Sequence, residues 1–210
     1  ERVDRRHQRE DRGAEAGDDV EHQTDERPSI WYYFSPKNTA IGYAPEQPVP
    51  YSHKLHAGDL GIDCRYCHAN IERSHEAMVP PTQACMGCHA VVKKDSPKLT
   101  AVRASWSSGN PVEWVRVHRL ADYVFFDHSV HLAAGVGCVS CHGRVDQMDV
   151  VRQDQPLNMG WCLECHRNPT PNLRPKDQIT NMTWTPTPDE AAQLAQSTLR
   201  GPEQCSGCHR

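Results

Sequence analysis

The chain has ten cysteines, and all ten fall into one repeated pattern. The pattern reads CRYCH from Cys64 to His68, CMGCH from Cys85 to His89, CVSCH from Cys138 to His142, CLECH from Cys162 to His166 and CSGCH from Cys205 to His209. Two thiols at this spacing can form thioethers to the two vinyl groups of one haem, while the adjoining imidazole reaches the iron. A zinc ribbon also uses C-x-x-C knuckles but has no use for a histidine after every second cysteine. A thioredoxin-like redox pair occurs once, beside a βαβ pattern that is missing here. Five copies with no spare cysteine therefore predict five covalently bound haem c groups. Their tethers are Cys64 and Cys67, Cys85 and Cys88, Cys138 and Cys141, Cys162 and Cys165, and Cys205 and Cys208, with His68, His89, His142, His166 and His209 as proximal ligands.

Each iron has a second axial position, and its occupant separates electron transfer from catalysis. Of thirteen histidines, eight remain once the five proximal ones are set aside. His7 and His22 lie in a charged N-terminal stretch and are poor ligands. His53 and His56, and again His128 and His131, form H-x-x-H pairs at matching places before matching haem motifs. On a helical turn, positions i and i+3 share a face yet diverge enough to serve two irons. These four are the first distal candidates, and His118, in an apolar-flanked segment, is the fifth. Met159, three residues before Cys162, is a possible thioether ligand that would raise that haem's potential, or else a gap-filling core residue beside Trp161. Met78, Met86, Met148 and Met182 are weaker candidates, His75 reads as a surface or supporting residue, and Arg167 could pair with a haem propionate. With this many candidates, no iron needs an open position.

The elements that must position these ligands are short. Sixteen prolines, 7% aromatic residues and a mean hydropathy of −0.73 are too polar for an ordinary core in 210 residues. Haem would supply the missing apolar mass. The expected fold class is therefore haem-nucleated and mostly coil, with short α-helices and little or no sheet. The net charge of −4 offers no basic patch, so no nucleic-acid partner is expected. Thioethers form where reduced thiols meet haem outside the cytoplasm, which points to a periplasmic location.

Residues 1–29 are charged, low in apolar side chains and read as disordered. Residues 30–50 join an aromatic stub, IWYYF, to a proline-rich connector of expected membrane-proximal position. The stub is far shorter than the roughly 20 residues of a membrane helix, so no anchor is visible. Residues 51–210 hold the motifs: two tandem two-haem units at 51–100 and 112–170, then a helix and fifth haem at 187–210. Tyr51–His68 aligns with Phe126–His142: an aromatic, H-x-x-H, a Gly-bearing turn and a haem motif. Residues Trp114–His118 could be a short strand or an extended linker. A C-terminal helix is predicted to start at a Thr187 or Asp189 cap and to stop at Gly201.

The blocks PVPYSHKLHAGDLGIDCRYCHANIERS, VPPTQACMGCH, EWVRVHRLADYVFFDHSVH and MGWCLECHRNP resemble the pentahaem cytochrome c subunit of bacterial alternative complex III. The resemblance runs from about Ile30 to the last motif. It implies a multihaem cytochrome c with mostly bis-histidine ligation, a non-catalytic electron-transfer subunit of a membrane quinol-oxidising respiratory or photosynthetic complex. Electrons would arrive from an iron–sulfur partner and leave to a monohaem cytochrome c, a copper protein or a terminal oxidase. Such proteins have a membrane helix before the aromatic stub, where this chain has its charged stretch. A multihaem reductase with an open haem, and a freestanding periplasmic shuttle or quinol dehydrogenase, are the alternatives.

Overall fold

A computed structural model describes residues 40–209. The charged stretch 1–29 and the aromatic stub, with His7 and His22, lie outside the described residues. Among the described residues eight short α-helices punctuate long coil: α1 Cys64–Cys67, α2 Thr82–His89, α3 Thr100–Ser108, α4 His128–Ala133, α5 Val139–His142, α6 Met159–Arg167, α7 Pro188–Ala195 and α8 Cys205–Cys208. Among the described residues there is no strand, only isolated antiparallel bridges at Val124–His209 and Val136–Leu173. The segment Trp114–His118 is an extended linker rather than a strand.

Local chemistry sets the helix ends. The Asp63 carboxylate accepts from the Arg65 N–H ahead of α1, Asp127 from the Ser129 N–H ahead of α4, and Asn158 from the Trp161 N–H ahead of α6. Gly109, at φ 76°, closes α3 by donating to the Ser105 carbonyl. Thr187 and Glu190 form a reciprocal capping box at the start of α7. That helix stops at Ala195, six residues before the predicted stop at Gly201. The Ser197 hydroxyl accepts from the Leu199 N–H, offering the backbone an alternative to another helical turn.

The protein core is thin. Val49, Ile71, Val102, Leu132, Met148, Leu173 and Ile179 are the buried apolar side chains among the described residues. Of these, Ile71, Leu132 and Ile179 form one cluster, against which Ala77 and Cys138 pack. So small a cluster cannot by itself offset the ordering entropy of so long a coil. The connector, by contrast, is pinned to the body. Gly42 donates to the Gln153 carbonyl, Gln153 donates to the Tyr43 carbonyl, and the Gln47 amide bonds both backbone groups of Val115.

Candidate haem-binding sites

Within each C-x-x-C-H motif the cysteines sit three apart on a single helical turn, so both thiols face one side. The first H-x-x-H pair lies on a π-helical turn, Lys54–Asp59, with His53 at its N-cap; the second lies at the start of α4. The two pairs are built alike down to ring geometry. Tyr51 meets His53 edge-on at 4.8 Å between ring centres and stacks on His56 at 4.4 Å. Phe126 meets His128 edge-on at 4.7 Å and stacks on His131 at 4.6 Å. The Nδ1–H of His56 donates to the Ser52 carbonyl and that of His131 to the Asp127 carbonyl, four residues back in each case.

The second histidine of each pair faces the proximal histidine of the second motif in its unit. His56 and His89 have ring centres 6.2 Å apart, and so do His131 and His166. His128 and His142 are 6.4 Å apart with nearly parallel planes. Two imidazoles on opposite sides of one metal ion, each at a metal–nitrogen distance of about 2 Å, have ring centres about 6 Å apart. These three spacings fit an iron between the rings. Among the described residues, neither His68 nor His209 faces a second imidazole at this spacing.

Backbone carbonyls orient the rings. Nδ1 of His68 donates to Met78, of His89 to Val92, of His128 to His75 and of His166 to Pro202, at 2.6–2.9 Å. The Nδ1 contact of His209 to the Tyr123 carbonyl is longer, at 3.4 Å. With Nδ1 bonded in this way, Nε2 keeps its lone pair for a metal, as in most histidine–metal sites. Met78 and Lys93 both hold positive φ, 56° and 54°, which non-glycine residues rarely adopt. The first aims its own carbonyl at His68 and the second directly follows the carbonyl that serves His89. Met78 thus contributes its backbone here, and His75 likewise supports His128 through its carbonyl.

Burial favours the neutral form, the one that binds metal, at His53, His118, His128, His131 and His142. Desolvation first, then nearby His68 and His56, lowers His53 from 6.5 to about 4. Desolvation, then His118 and His128, lowers His142 to about 3. His118, His128 and His131 are also lowered, chiefly by burial. Nδ1 of His53 and Nε2 of His118 are buried without a hydrogen-bond partner. A buried unpaired nitrogen costs about 1–3 kcal/mol, and an iron at His118 Nε2 would remove that cost.

The motifs form a continuous series. Cys67 lies near Cys85, Cys64 near Cys138, Cys141 near Cys165 and Cys162, and Cys162 near Cys208. The motifs therefore run from Cys85/Cys88 to Cys64/Cys67, Cys138/Cys141, Cys162/Cys165 and Cys205/Cys208. This order differs from chain order in its first two members.

The remaining candidates are placed less directly. His118 meets His142 edge-on at 4.5 Å, too close for an iron between those two rings, and it is not brought to His209, whose ring neighbour is Tyr123. Met159 opens α6 with 60% of its surface exposed. Arg167 pairs with Glu203 at 2.9 Å. Sequence reasoning missed Gly201, whose N–H donates to the His166 carbonyl and whose missing side chain leaves room for the His166 ring. A glycine just before a haem motif was the available signal, but it was read as a helix stop.

Paired imidazoles, their Nδ1 anchors, the orphaned Nε2 of His118 and thiols on single helical turns all fit haem. Residues 33–121 match the class III cytochrome c family, and residues 124–210 match cytochrome c7 and related cytochrome c. A protein of Nitratidesulfovibrio vulgaris (strain Hildenborough), "Menaquinone reductase, multiheme cytochrome c subunit", is 31% identical over 146 residues, covering 59% of this chain and 69% of that protein. This chain belongs to the multihaem cytochromes c, which carry covalently bound haem c.

Proposed function

We propose that the chain is a pentahaem, non-catalytic electron-transfer subunit of a membrane quinol-oxidising complex resembling alternative complex III. The observation that carries this reading is the unbroken series of attachment points, with imidazoles set at iron-spanning distance along it. Bound haem supplies one-electron transfer without a substrate site. The chain's residues would do the rest: the cysteine pairs would tether the rings, the proximal and paired histidines would hold the irons, and backbone carbonyls fix the imidazole tautomers. His118 Nε2 is a candidate distal ligand for one of these irons, and the repeat makes His53 the counterpart of His128.

In this reading the subunit sits on the periplasmic side of the membrane. It takes electrons from an iron–sulfur subunit and passes them to a monohaem cytochrome c, a copper protein or an oxidase. Among the described residues no helix is long and apolar enough to cross a membrane, so the anchor in this reading is a partner subunit or a segment outside them. The pinned connector supports a fixed subunit over a diffusing shuttle, because it gives residues 40–50 a defined path along the body.

A second reading reverses the direction, with electrons flowing through this chain to quinone; the name of the Nitratidesulfovibrio relative favours it. The test is a redox titration of the membrane complex purified in mild detergent, with mass spectrometry of this subunit. A mass gain of five haems, partner membrane subunits in the preparation and rapid haem reduction by quinol support the proposal. Haem oxidation by quinone, without reduction by quinol, selects the reverse direction. Fewer than five haems, or a chain that leaves the membrane in salt alone, overturns it.

A further inference from the structure

Arg174 stands apart from the other arginines. The ion-paired arginines among the described residues, at 65, 116, 144 and 167, are all substantially exposed. Arg174 is only 9% exposed and has no carboxylate within ion-pair distance among the described residues. One terminal nitrogen donates to the Asn181 carbonyl at 2.8 Å and more weakly to the Gln178 carbonyl at 3.5 Å, and the guanidinium lies 5.2 Å over the Trp184 ring. Its Nε is buried without a partner. A buried cation with no counter-charge is an expensive feature, and nothing in the thin core requires one.

The surrounding backbone is shaped to admit it. A side chain at Gly137 would strike the Arg174 Nε and its neighbouring carbons, and one at Gly135, at φ 91°, would meet the Arg174 carbonyl at 2.9 Å. The Arg174 N–H also donates to the Gly135 carbonyl, and the Gly137 N–H to the Asn172 carbonyl, on either side of the Val136–Leu173 bridge. Gly137 immediately precedes Cys138, whose N–H donates to the Ile179 carbonyl in the same loop that holds the guanidinium. The charge is therefore fixed beside the first thioether position of the third motif, in the middle of the series.

We propose that Arg174 is a potential-setting residue: its buried, uncompensated charge lies at the thioether edge of the haem tethered by Cys138 and Cys141 and favours that haem's reduced state. Reduction adds one electron to the iron, and a fixed cation in a low-dielectric surround lowers the energy of that electron. The central haem then holds an electron more readily than the same group would without Arg174. The inference rests on the reading of Cys138 and Cys141 as a haem tether.

The test is a spectroscopic redox titration of the haem-loaded full chain carrying Arg174→Gln, Arg174→Lys or Asn181→Asp, with mass spectrometry to count haems. Arg174→Gln is expected to shift one ferric–ferrous equilibrium by on the order of tenfold towards ferric, a fall of about 59 mV for one electron. The other components should move much less, and Arg174→Lys should restore most of the change. Asn181→Asp keeps the guanidinium and its packing but adds a carboxylate on the residue whose backbone carbonyl holds it, so a smaller fall in the same component is expected even if Arg174→Gln fails to assemble. Five haems with unmoved potentials in Arg174→Gln or Asn181→Asp overturn the inference alone, as do equal falls in Arg174→Gln and Arg174→Lys, which would mark a packing role. A chain with no covalent haem overturns the functional reading beneath it.

Discussion

His131 and His166 face each other with ring centres 6.2 Å apart and 35° between their planes, although 35 residues of chain separate them. The separation leaves room for one metal ion and no more. His131 is held for this role by its Nδ1 bond to the Asp127 carbonyl and by Phe126 stacked on its ring; His166 is held by Pro202.

Replacing His131 with alanine should remove one distal ligand and leave the other haems as they were. Low-temperature EPR of the oxidised protein is expected to lose one low-spin signal and gain a high-spin one. His131→Met should instead keep that centre low-spin and raise its potential, because a thioether replaces an imidazole. An unchanged set of low-spin signals in His131→Ala would refute the assignment.

His118 makes a different case. Its ring is buried edge-on to His142, and burial, then His128, lowers its basicity, yet Nε2 meets no protein acceptor. The expected result for His118→Ala is again one fewer low-spin centre, together with a gain in cyanide binding at the vacated position. If His118 is only packing, the EPR spectrum will stay as it is and the thermal midpoint alone will fall.

The C-x-x-C-H motifs and the repeated H-x-x-H pairs were legible in the sequence because covalent attachment of haem demands fixed residue types at fixed spacing. The aromatic before each H-x-x-H was visible too, though its stacking on His56 and His131 was not. Backbone carbonyls at Met78, Val92 and Pro202 left no such trace, since every residue type carries one. The order of the attachment points was hidden for a related reason. The contact of Cys64 with Cys138 depends on a fold organised around cofactors, and no periodicity encodes it. Helix α7 shows the limit of local rules: its Thr187 cap was readable, but its end at Ala195 depends on a serine side chain competing for the backbone.

Asp63 links the first motif to the loop that carries Arg174. Its carboxylate accepts from the Arg65 backbone and side chain and from the Thr180 hydroxyl at 2.7 Å, and the Arg65 hydrogen bond first of all lowers it from 3.8 to about 2. Asp63→Ala should cost about 1 kcal/mol, mostly through the lost cap and the Thr180 link, because the exposed ion pair with Arg65 is screened. A depressed carboxylate stabilises the fold above its ordinary value and ceases to do so as the pH falls through its folded value. Guanidinium unfolding followed at the Soret band should therefore show a constant gap between wild type and variant above about pH 5, closing towards pH 2. A gap independent of pH would mean that the charge contributes nothing.

Gly201 tests how the fourth and fifth motifs are joined. Its N–H bonds the His166 carbonyl, the next residue's carbonyl takes the His166 Nδ1 proton at 2.7 Å, and a Cβ at this position would collide with the His166 ring. The Arg167–Glu203 pair spans the same junction but is exposed, so Glu203→Gln should change stability by less than about 1 kcal/mol. Gly201→Ala should cost about 1–3 kcal/mol through overpacking. It should also disturb the EPR signal that His131→Ala removes, since both substitutions act on the His131–His166 pair. If Gly201→Ala lowers the melting temperature but leaves that signal in place, the ring is held by the helix α6 backbone alone and the junction does not set its orientation.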